Sequence, residues 1–114
     1  MLQAFAAQLL AGRAADAQTR IVGKPKPLPP GAVTHDWTSF LGPTHNAVSS
    51  ETRLNRRLPP PLVWEFQKGT SYASPAIAGA RLVFIHRVGD EEVVECLHAE
   101  TGARQWRFGY PTAS

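Results

Sequence analysis

Between Tyr72 and Trp106 the chain alternates short apolar runs with turn residues, YASPAIAGARLVFIHRVGDEEVVECLHAETGARQW. Ala73–Ala78 is a brief apolar run closed by Gly79, and Arg81–Arg87 carries Leu82, Val83, Phe84 and Ile85 without a polar break. Gly89-Asp90 marks a turn, because glycine reaches positive φ without a Cβ clash and aspartate tolerates it. Glu92–Ala99 supplies Val93, Val94, Cys96 and Leu97; Thr101-Gly102 turns again; Arg104–Phe108 brings in Trp106. Strand, turn, strand, repeated to four strands, predicts an antiparallel meander. The apolar positions do not alternate cleanly, so both faces of this small sheet require cover. Leu62–Gln67, LVWEFQ, is a fifth strand candidate ahead of the meander.

The upstream half is poorer in strand signals. Residues 1–17 hold an apolar stretch, Leu2–Ala11, interrupted by Gln3 and Gln8, and end in Ala15-Asp16-Ala17. That small-x-small ending has the form of a signal-peptidase site with cleavage after Ala17, so the segment reads as a signal peptide, truncated in its basic n-region. A short amphipathic helix or a tail is the other reading. The run is too short to span a membrane, which takes about 20 apolar residues. Residues 18–35 read as a linker, its Lys24–Gly31 stretch (KPKPLPPG) extended and semi-rigid. Residues 36–61 read as an irregular leader loop anchored by Trp37, Phe40 and Leu41, with a short helical turn expected to begin at Ser49-Ser50-Glu51. Pro59, Pro60 and Pro61 restore extension. Residues 62–110 hold the strands.

Charge and chemistry narrow the picture. The net charge is +3, with twelve Lys and Arg against nine Asp and Glu, scattered apart from Arg53, Arg56 and Arg57. A nucleic-acid binder would show a dense basic stripe interleaved with aromatics, so no nucleic-acid partner is expected. Cys96 is the single cysteine, which excludes an intrachain disulfide and suits a small buried hydrophobe. His35, His45, His86 and His98 contain no pair at the i,i+2 strand or i,i+4 helix spacing that presents two ligands on one face. His86 and His98 lie on adjacent predicted strands, which leaves approach across the sheet open. The acidic turn Asp90-Glu91-Glu92 lacks the alternating acidic ligands of a calcium loop. Ser71 and Ser74 stand outside any G-x-S-x-G elbow. The expectation is no catalytic residue and no metal ligand in this chain.

Two segments carry a family resemblance. Leu97-His98-Ala99-Glu100-Thr101-Gly102-Ala103-Arg104-Gln105-Trp106 resembles the L-x-A-x-T-G-x-x-x-W signature of pyrroloquinoline-quinone-like (quinoprotein-type) β-propeller repeats. Asp36-Trp37-Thr38-Ser39-Phe40-Leu41-Gly42-Pro43, followed by Val48-Ser49, is similar to the leader of exported bacterial members of that group. The resemblance covers Asp36–Phe108. It implies an all-β fold: one four-stranded antiparallel propeller blade, an N-terminal strand and an irregular proline-rich N-terminal segment. It implies that Thr101, Gly102 and Trp106 dock blade on blade, and that Trp64 does so for a closing blade completed by an N-terminal segment. One blade is far short of a propeller, which has four to eight, so the remaining blades are expected partners and the chain is expected to be a fragment or one copy of several. The function implied is an exported scaffold, periplasmic or secreted, whose protein or small-molecule ligand is unknown. The alternative is the N-terminal piece of a quinone-dependent dehydrogenase. Pyrroloquinoline quinone enters through the resemblance only, and no residue here is matched to it.

Overall fold

A computed structural model describes residues 18–112, which form two antiparallel sheets with no helix among them. The strands are β1 Thr19–Ile21, β2 Trp64–Phe66, β3 Ala76–Ala78, β4 Arg81–Val88, β5 Glu91–His98 and β6 Arg104–Pro111. The last four make a meander in the order β3-β4-β5-β6, and β1 pairs with β2. Among the described residues no helix is long and apolar enough to cross a membrane. The segment read as an export signal lies outside the described residues.

Several boundaries differ from those the residue pattern predicts. β3 starts at Ala76 rather than Ala73, after Ser74-Pro75, where proline offers no N–H to a ladder. β6 runs past Phe108, because Gly109, Tyr110 and Pro111 continue the register opposite Val93, Glu92 and Glu91. The range 18–35, read as a linker, opens with β1, whose Thr19, Arg20 and Ile21 pair with Phe66, Glu65 and Trp64. No helical turn forms at Ser49. Its Oγ instead accepts the Glu51 N–H at 3.2 Å, a local serine turn that competes with helix.

Residues directly opposite one another in an antiparallel pair share a face. Phe84 faces Glu95, His86 faces Val93, and Leu82 faces Leu97. This face is closed: Val93, Glu95, Leu97 and His86 are fully buried, and Phe84 nearly so. Phe66 of β2 covers it edge-on, with ring centroids 5.3 Å from Phe84 and 5.8 Å from His86. The opposite face carries Val83, Ile85, Val94 and Cys96, continued on β6 by Trp106 opposite Cys96 and Phe108 opposite Val94. Trp106, Phe108 and Tyr110 are exposed there. One of the two faces that needed cover therefore has it within the chain.

The sheet's edges differ too. Trp37 caps the outer edge of β3 with a pair of backbone bonds to Ile77, at 2.7 and 2.8 Å. The Asp36 carboxylate accepts the Gly79 N–H at 2.7 Å and fixes the adjoining turn. No strand among the described residues pairs with the far edge of β6.

Candidate functional site

The site grows from the turn between β5 and β6. His98 N–H donates to the Ala103 carbonyl and Gly102 N–H to the His98 carbonyl, both at 2.8 Å. Thr101 Oγ1 accepts the Ala103 N–H at 3.3 Å, so threonine closes the turn locally. Gly102 sits at φ +71°, and its missing side chain leaves room for the Trp64 ring. A Cβ there would stand 2.6 Å from Trp64 Cδ2 and 2.8 Å from Thr19 Cγ2. The Trp64 indole N–H donates to the Ala99 carbonyl at 3.0 Å. Thr19 Oγ1 donates to the Gly102 carbonyl at 2.8 Å. The β1–β2 sheet thus rests on this turn by an indole face and two directed hydrogen bonds.

Trp106 lies apart from Trp64, on the open face of β6, 46% exposed. Of the four residues singled out for docking, Thr101, Gly102 and Trp64 meet at one place and Trp106 does not. The segment Trp64-Glu65-Phe66 has a counterpart in Trp106-Arg107-Phe108: tryptophan and phenylalanine flank a charged residue in both. In the first copy the tryptophan is docked; in the second it is open.

The covered face of the meander holds a buried polar cluster that sequence reasoning missed. Glu95 is fully buried. Arg104 Nε donates to its Oε2 at 2.9 Å, and Arg107 Nε donates to its Oε1 at 3.3 Å. Residues three apart on a regular strand point to opposite faces. Here a register shift at Cys96/Leu97 makes Gln105 the extra residue of a β-bulge, and both guanidiniums reach the same carboxylate. His86 completes the group. Gly69 N–H donates to its Nδ1 at 2.9 Å, so that nitrogen is an acceptor, the proton sits on Nε2, and Nε2–H donates to Glu95 Oε1 at 3.2 Å. The signal for this cluster was a lone glutamate inside the run Val93-Val94-Glu95-Cys96-Leu97.

The remaining polar residues assemble little chemistry. His86 lies opposite Val93 and His98 opposite Arg81, five ladder positions apart, so the two do not meet. Asp90 is solvent-exposed beside Arg87. Cys96 is buried and unpaired. Among the described residues no group of three His, Cys, Asp or Glu side chains could hold a metal ion. His35, Ser50 and Glu51 share a cleft of about 190 Å³ walled by Trp37. Ser50 Oγ is 3.5 Å from Nδ1 and 3.4 Å from Nε2 of His35. An oxygen equidistant from both ring nitrogens lies along neither lone pair, so His35 does not activate it as a base would. Comparison with protein-family models, with curated proteins and with solved structures finds no match to this chain.

Proposed function

We propose that this chain supplies the first blade and part of the closing seam of an exported pyrroloquinoline-quinone-like β-propeller that works as an interaction scaffold, not as a self-sufficient enzyme. The observation that carries the reading is the pair of tryptophan segments. Trp64 docks on the Thr101-Gly102 turn and donates to Ala99, while Trp106 lies about 40 residues later, the length of one blade, with its ring open. The same residues in the same spacing call for the same receptor: a glycine turn with a free carbonyl three residues before it. The turn of this chain is already occupied by Trp64, so Trp106 takes its receptor from a further blade. The four-stranded order, the open β6 edge and the L-x-A-x-T-G-x-x-x-W segment support the same architecture. β1 and β2 pair with each other and not with the meander, which suits strands of a neighbouring blade. Export rests on the Ala15-Asp16-Ala17 pattern, which supports a periplasmic or extracellular location.

The test is the structure of the full gene product. A Thr-Gly turn seated on Trp106 and a further strand paired to the β1–β2 sheet are expected. A product without another Thr-Gly-x-x-x-Trp segment, monodisperse with Trp106 in water, overturns the reading. Titration of that product with pyrroloquinoline quinone and calcium separates scaffold from dehydrogenase: a saturable absorbance change with dye-coupled alcohol oxidation would mark the enzyme.

A further inference from the structure

Arg104 is a five-donor guanidinium with only part of its capacity in use. Its Nε is spent on Glu95, and Nη2 bonds Gln18 Oε1 at 2.6 Å and Glu95 Oε1 at 3.2 Å. Nη1 is buried and bonds nothing among the described residues. An unpartnered buried donor in an otherwise satisfied cluster calls for an acceptor. Charge points the same way. One carboxylate, Glu95, serves two guanidiniums, Arg104 and Arg107, of which Arg107 is 37% exposed and hydrated while Arg104 is held in the cluster. Arg104, 11% exposed at its side chain, lines a cleft of about 300 Å³ whose other walls are Thr19, Ile21 and Ala103. The Thr19 hydroxyl is committed to the Gly102 carbonyl, so these walls offer mostly hydrocarbon.

We propose that the cleft between β1 and the start of β6 binds a small organic carboxylate, with Arg104 as its cation and Ile21 and Ala103 against its aliphatic part. A planar carboxylate matches the guanidinium edge in two parallel bonds. Gln18 is the one polar contact of Arg104 from outside its own sheet, and its side chain is the group that yields on binding. The site stands independently of the propeller reading, since every residue in it belongs to this chain.

The test uses the whole chain, labelled with ¹⁵N and titrated with butyrate at ionic strength held constant with chloride. The Arg104 Nε–H signal is expected to shift saturably, together with the amides of Thr19 and Ala103. Inorganic phosphate, which lacks the apolar tail, is expected to bind at least tenfold more weakly. The isosteric Q18E variant sets a built-in carboxylate beside Arg104 and keeps the fold, so its butyrate response is expected to vanish. A linear, non-saturating response in the parent chain, or equal responses in the parent and Q18E, overturns the proposal.

Discussion

Replacing Gly102 by alanine should release the β1–β2 sheet, and a second glycine supplies the control. Gly79 and Gly102 both occupy the left-handed region, at φ +57° and +71°. A Cβ on Gly79 meets nothing within 4 Å, so Gly79→Ala measures the backbone term alone, about 1 kcal/mol. A Cβ on Gly102 meets Trp64 at 2.6 and 2.7 Å and Thr19 at 2.8 Å. The obstacle is a rigid ring, which cannot fold aside as a lysine tip would. Gly102→Ala therefore adds the cost of lifting Trp64. A tryptophan buries about 150–250 Å² when fully enclosed. At about 25 cal/mol per Å², the half-buried ring here contributes about 2 kcal/mol. The lost indole–Ala99 bond adds about 1 kcal/mol. The expected gap between the two variants is about 3 kcal/mol, on the order of 100-fold in an opening equilibrium. A sheet of two three-residue strands does not persist alone, so undocking is local. Hydrogen exchange at the Trp64 indole and at the amides of Val22 and Gln67, which bond Val63 and Gln18, reads it directly. Gly102→Ala should speed that exchange about 100-fold over Gly79→Ala, with β4 and β5 protected in both. Equal exchange in the two variants would refute the docking argument.

Trp106→Ser should barely change the stability of this chain, by less than about 1 kcal/mol for a half-exposed side chain, and should lower self-association in light scattering, because it breaks the apolar patch with Phe108 and Tyr110. Glu95→Gln should cost about 3–5 kcal/mol, since two guanidiniums lose their buried counter-charge; loss of ordered structure by near-UV circular dichroism is the readout. The Arg20 guanidinium, bonded to Glu65 across β1–β2, holds that carboxyl below the usual carboxylate range. Because the folded value is the lower one, this contribution is present above the ordinary glutamate range and fades as pH falls through the depressed value. Carbon NMR titration should show the low midpoint moving up in Arg20→Gln and in high salt.

The meander was legible because its turns are written in residue types with one physical meaning each: Gly79, Gly89-Asp90 and Thr101-Gly102 reverse the chain where they are placed. Leu62–Gln67 was legible as a strand segment, of which Trp64–Phe66 is the part that pairs. What stayed hidden depends on partners far away in sequence. β1 is three residues with one apolar side chain, Ile21, and is a strand only because Trp64, Glu65 and Phe66 pair with it. The helical turn at Ser49 failed for a related reason. The Glu51 carboxylate, which a helix start would have kept local, accepts the His35 N–H at 2.8 Å. The bulge at Gln105 hid the arginine pair, since period-two reading places Arg104 and Arg107 on opposite faces.

The two faces of the meander ask for different things, and that difference orders the whole molecule. The face with Glu95 and His86 contains groups that cannot be left dry and unpaired, so its cover must supply specific atoms: Gly69 N–H to His86, Gln18 to Arg104, the Phe66 edge to Phe84. Such requirements are met best by segments tethered in the same chain, because each misplaced donor costs on the order of 1–3 kcal/mol. The face with Val94, Cys96, Trp106 and Phe108 contains almost no polar demand. Hydrocarbon is indifferent to the identity of its cover, so selectivity on that side falls to its polar tips, the Tyr110 hydroxyl and, as a pure donor, the Trp106 indole N–H. A partner that buries the patch without a carbonyl for that donor would leave it unsatisfied. The polar face therefore fixes how the chain folds on itself, and the apolar face asks of any cover little beyond partners for those polar tips.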